Sequence, residues 1–89
     1  MKPLSARSAR FDPMRDAVLF ESGAIEVAVT RSALADWFGK PVPEAAAVHR
    51  ALSIEATLRR AANAVDPDDG VITITPRLLA NVRETLDAD

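Results

Sequence analysis

The sequence predicts a small α+β domain: an antiparallel sheet, made of a β-hairpin plus a third strand, packed against two or three helices in the order β-β-α-α-β-α. Three observations predict it. Two apolar runs flank a Ser-Gly turn within residues 15–30. The stretch from Pro43 to Ala64 repeats its apolar residues at helical spacing. A β-branched run, Val71-Ile72-Thr73-Ile74, leads directly into Thr75-Pro76, a helix start.

The elements follow in order. Residues 1–14 hold two prolines and several small polar or basic residues, so they read as an irregular basic arm with a short edge strand near Arg10 and Phe11. The domain proper is expected over 15–89. Ala17-Val18-Leu19-Phe20 and Ile25-Glu26-Val27-Ala28-Val29-Thr30 are the hairpin strands, and Glu21-Ser22-Gly23-Ala24, with its Ser-Gly turn signal, connects them. Thr30 or Ser32 caps the next helix, where Leu34, Trp37 and Phe38 share a face at i, i+3 and i+4. Gly39 ends that helix and Pro41 prevents its continuation.

Across 43–64, Ala47, Ala51, Ile54, Leu58, Ala61 and, just beyond, Val65 recur at helical spacing, with Val48 and Leu52 widening the stripe, so a single long helix is expected. Its small side chains let it lie close against another surface. Asp66-Pro67-Asp68-Asp69-Gly70 is a turn. The final helix begins at Thr75-Pro76, with Leu79, Val82 and Leu86 facing inward.

Composition bounds the function. The chain has 89 residues, 48% apolar and 27% charged, which is ordinary for one folded domain. Much of the apolar share is alanine, so the core is thin. A domain of this size often leans on a disulfide, a metal or a partner subunit. There is no cysteine, which removes disulfides and thiolate-held zinc and raises the case for a homodimer or another protein partner. The net charge of −2 argues against a dedicated nucleic-acid binder. The charge is uneven, however: Lys2, Arg7, Arg10 and Arg15 crowd the N-terminal end against Asp12. Arg7, Arg10 and Arg15 are therefore the candidate anion contacts, and a nucleic-acid-associated accessory role is the alternative reading. No run approaches the ~18 apolar residues of a membrane span, and no secretory pattern is visible, so a cytoplasmic protein is expected.

The chemistry is mostly absent. One histidine, His49, supplies one ligand or one base, and neither a metal site nor an acid–base relay is built from one. A Ser53–His49 pair at i,i+4 is the nearest approach to a dyad. The acids before Gly70 do not fit a calcium loop, which would put Val65 first and Pro67 third. Gly23, Gly39 and Gly70 are too scattered for a phosphate loop. A helix-turn-helix drawn over 31–64 is stiffened at its connection by Pro41 and Pro43. The expectation is no enzyme, no cofactor and no metal. Trp37 and Phe38 are the candidate partner surface: adjacent aromatics on a helix point in different directions, so one can serve the core while the other stands at the rim.

Phe11-Asp12 followed by Arg15, Val18 and Phe20 resembles the opening of a small bacterial family, domain of unknown function 1488. The resemblance continues through Ile25-Glu26-Val27, Ser32-Ala33-Leu34, the Arg-containing alanine-rich segment from His49-Arg50-Ala51 to Arg60-Ala61-Ala62, and the strand after Gly70, covering roughly residues 10–80. The helix after Thr75 and the low aromatic content depart from the family's pattern. The resemblance implies a compact α+β fold and no established activity, and it carries over no functional residue. The expected function is a small non-enzymatic interaction module, a homodimer in the simplest case.

Overall fold

The computed structural model describes Leu4 and residues 7–87. Four strands, β1 (Arg10–Asp12), β2 (Ala17–Ser22), β3 (Ile25–Thr30) and β4 (Val71–Ile74), form one sheet in that spatial order. Four helices, α1 (Arg31–Phe38), α2 (Glu44–Ser53), α3 (Glu55–Asn63) and α4 (Pro76–Asp87), complete the α+β fold.

The hairpin forms as predicted, with Ala17 opposite Thr30 and Ser22 opposite Ile25. The sheet, however, is mixed rather than antiparallel. β1–β2 and β2–β3 are antiparallel, but β4 runs parallel to β3. The cause is the connection: α1, α2 and α3 carry the chain back along the sheet, so β4 re-enters in the direction of β3. β4 is then held by a tight turn. Asp68 and Val71 exchange hydrogen bonds of 2.8 and 3.0 Å across Asp69 and Gly70, both at positive φ (52° and 76°). That geometry asks for Gly and Asp or Asn, which is what the sequence places there.

The expected irregular arm at 1–14 is partly integral to the domain. β1 pairs with β2, and the Ser8 hydroxyl extends this pairing by accepting from the Glu21 N–H at 3.1 Å. Leu4 is buried in the core and donates its N–H to Glu55 Oε1 at 2.8 Å. The short edge strand expected near Arg10 and Phe11 is β1, and it lies at the edge of the sheet. Lys2 lies outside the described residues.

The helix starts and stops follow their signals. Thr30, not Ser32, caps α1, its hydroxyl accepting from the Ala33 N–H at 3.1 Å. Gly39 ends α1 in the left-handed region, at φ 72°, where a side chain would be strained. Thr75 accepts from the Leu78 N–H at 3.3 Å and opens α4.

The single helix expected over 43–64 is two. It breaks at Ile54, whose backbone (φ −120°, ψ 31°) is not helical. A straight helix over that span would be about 33 Å long, as long as the molecule's greatest extent of 32 Å. The break lets α2 lie against β1 and β2 while α3 turns to β4 and α4. Ser53 favours it locally by donating its hydroxyl to the Arg50 carbonyl at 2.6 Å, a bond that competes with helix continuation.

The core lies between this helix layer and one face of the sheet. Val18, Phe20, Val27, Val29, Ile72 and Ile74 meet Leu34, Ala47, Ala51, Leu58, Ala61 and Leu79 there. Leu79 and Val82 face inward from α4 as expected, and the side chain of Leu86 lies outside the described residues. Among the described residues no helix is long and apolar enough to cross a membrane.

Candidate functional site

Alternation along the strands sends every second residue to the side of the sheet away from the helices. Register places Arg10, Leu19, Ala28 and Thr73 in one row across all four strands. Asp12, Ala17 and Thr30 make a second row, and Glu21, Glu26 and Val71 a third. Among the described residues no helix covers this open face. It nevertheless holds an apolar cluster of its own, Ala17, Leu19 and Ala28, separate from the main core and 1–3% exposed. Beside the cluster is a depression of 420 Å³, with Ala17 and Ala28 in its floor and Arg15, Thr30, Val71 and Thr73 around it.

Arg15 governs the charge of this face. Its guanidinium bonds Glu26 on β3 and stands 3.5 Å from Asp12 on β1. Of the three arginines expected to meet an anion, Arg15 is thus already answered by two carboxylates of the chain. Arg10 is exposed on the open face beside Leu19, and Arg7 is exposed before β1. The structure therefore spreads these residues along an edge and a face and does not gather them into one pocket.

Trp37 and Phe38 end α1, half-buried and packed against the core. Each ring lies under a guanidinium. Arg83 of α4 sits 4.1 Å from the centre of the Trp37 ring and donates to the Trp37 carbonyl at 2.6 Å. Arg50 of α2 sits 5.4 Å from the centre of the Phe38 ring. These cation–π contacts occupy ring faces that a partner would otherwise use. His49 is exposed on α2, and Ser53 donates to the Arg50 carbonyl, so the two form no dyad. Among the described residues no group of three or more His, Cys, Asp or Glu side chains is placed to hold a metal ion.

The best-formed polar node, between Asp16 and Arg31, has no local signal in the sequence. Arg31, the first residue of α1, donates from Nε to Asp16 Oδ1 at 2.7 Å and from a terminal nitrogen to Asp16 Oδ2 at 3.3 Å. Its other terminal nitrogen reaches the Val42 carbonyl at 3.3 Å, and its backbone N–H donates to the Asp16 carbonyl at 2.8 Å. One side chain thus ties the β1–β2 turn, the start of α1 and the segment before α2. The Asp16 hydrogen bond, aided by the charges of Asp16 and Glu44 and opposed by desolvation, holds the Arg31 guanidinium above its ordinary range. A raised cation pKa contributes stability at neutral pH that alkali removes only when it is strong, so Arg31 is no switch near neutrality. Asp16 sits at φ 51°. Asp16→Ala is expected to lower the urea midpoint at unchanged slope, and Asp16→Gly to lower it less, because glycine relieves the positive φ while losing the same carboxylate. Equal midpoints for the two variants would show that the backbone there is unstrained.

Comparison with protein-family models, with curated proteins and with solved structures finds no match to this chain.

Proposed function

We propose that this protein is a non-enzymatic interaction module that associates with a second copy of itself through the open face of its sheet. One observation carries the reading: a sheet with helices on one side bears, on the other, a nearly buried apolar cluster beside a depression floored by alanines. Small side chains suit sheet-on-sheet packing, in which two faces approach to ~10 Å. The open face serves this role better than Trp37 and Phe38, whose rings already carry arginines. A place in the domain-of-unknown-function family 1488 is compatible with this proposal and adds no activity to it.

Sedimentation equilibrium over a concentration series tests it. The mass is expected to rise from monomer toward dimer. Thr73→Lys, an exposed position in the middle row of the face, is expected to hold the chain monomeric without touching the core. A monomer mass at every concentration for the unaltered chain would overturn the proposal.

A further inference from the structure

The helix layer contains a groove that the core does not fill. α3 packs on α4. Spacing of i,i+4 puts Arg60 and Ala64 together on one wall and Leu78 and Val82 together on the other. Ala64, the residue that ends α3, contributes only a methyl group to its wall. A groove of 360 Å³ remains, lined also by Val65 and Asn81. That volume lies within the ~300–1,000 Å³ of small-molecule sites. At about 30 Å³ for each heavy atom, the share of a water molecule in the liquid, it takes about 12 non-hydrogen atoms.

The walls state the chemistry of what fits. Val65 is 37% exposed, a large apolar side chain left open to water, and Leu78 is only partly buried against the core. Arg60 is the one ionisable residue in the lining. It is exposed, and among the described residues no carboxylate answers it. Arg15, Arg31 and Arg59, by contrast, each hold a carboxylate of the chain, and Arg50 and Arg83 lie over aromatic rings. A second depression, which shares Val65, has nearly the same volume, 350 Å³, with Ile25 and Ile72 in its wall and no ionisable side chain. An uncharged apolar molecule has no reason to prefer the Arg60 groove over that one. A molecule with an alkyl chain and an anionic head does, because a guanidinium fork matches a carboxylate.

We propose that the α3–α4 groove binds a medium-chain aliphatic carboxylate, with its head on Arg60 and its alkyl chain along Ala64, Val65, Leu78 and Val82. Decanoate has about the number of atoms the groove takes. The site belongs to the helix layer and is independent of the open sheet face, so its failure leaves the self-association reading standing.

The test is calorimetric titration of the full chain with decanoate at low ionic strength, below the concentration at which decanoate aggregates, with amide chemical shifts locating the site. One saturable site is expected, with shifts clustered over 60–65 and 78–82. Shortening the ligand to hexanoate should weaken binding about tenfold or more, since each fully buried methylene contributes about fourfold. Ala64→Leu fills the groove and should abolish binding at unchanged circular dichroism, because alanine and leucine are both good helix formers. Val65→Ser, which removes part of a wall, serves if Ala64→Leu does not fold. Arg60→Gln should weaken decanoate about two- to fivefold, the effect of an exposed charge pair, and should not weaken decyltrimethylammonium, which has the same alkyl chain and a cationic head. Absence of saturable decanoate binding, or shifts confined to the open sheet face, would overturn the site. Equal affinity of the unaltered chain for decanoate and decyltrimethylammonium would overturn the assignment of a carboxylate.

Discussion

Phe20→Ala is expected to lower the stability of the fold by about 3–5 kcal/mol, enough to unfold a large share of the molecules at moderate urea. Phe20 is fully buried on β2, opposite Val27, within the cluster that also contains Leu34 and Leu58. Its removal forfeits transfer energy and leaves a cavity that a close-packed sheet and helix layer can only partly fill. A domain of 89 residues has a total stability of roughly 4–13 kcal/mol at 0.05–0.15 per residue, so one side chain removes a large part of it. Urea unfolding should show a lower midpoint at an unchanged slope. Leu19→Ala, one residue earlier and on the opposite face, supplies the contrast. Leu19 is almost as buried, but it belongs to a small cluster with Ala17 and Ala28, apart from the main core. Its cost is expected at the low end of the ~2–5 kcal/mol range for Leu→Ala. A Leu19 loss equal to the Phe20 loss would mean that the open face is packed as tightly as the core.

What could be read in the sequence was local. The Gly23-Ala24 hairpin turn, the Thr30 and Thr75 caps, the Gly39 stop and the Asp69-Gly70 turn each rest on a few neighbouring residues whose chemistry permits few conformations. What could not be read depends on distance. The parallel pairing of β4 follows from where three helices deliver the chain, which no property of Val71-Ile72-Thr73-Ile74 encodes. The break at Ile54 sits inside an uninterrupted apolar stripe; it exists because a straight helix would outrun the sheet. Leu4 looked like part of a loose arm because its burial depends on Glu55 and the helix layer. The candidate site divided in the same way. Alternation in the hairpin placed Val27 and Val29 on a common face, but whether the other face was covered is a tertiary fact. Arg15 read as one of several basic residues near the N-terminus, since Glu26 becomes its partner only when β3 lies two strands away. The Asp16–Arg31 node was hidden for the same reason: both residues are exposed-type side chains in sequence, and the fold brings them together.

The alanines give the second large effect, and it runs against the simplest reading of a thin core. If the core merely lacked volume, Ala61→Leu should fill it and add roughly 2 kcal/mol, at ~0.8 per buried methylene. The structure points the other way. Ala47 and Ala51 on α2 and Ala61 and Ala62 on α3 are at most 1% exposed. They are the contact surface on which α2 meets β1 and β2 and α3 meets β4 and α4. Small residues there set the distance between layers, so a larger side chain has no space until the helix moves. Ala61→Leu is therefore expected to cost about 1–3 kcal/mol through overpacking, although leucine and alanine differ little in helix propensity. Ala56→Leu, on the exposed side of α3, should stay within about 0.5 kcal/mol of wild type. Urea midpoints of the two variants decide the matter. A higher midpoint for Ala61→Leu would mean that α3 rests loosely on the sheet and that the core is short of volume. A lower one, with Ala56→Leu unchanged, would mean that the alanines hold the layers at close range and that the domain's stability depends on that distance.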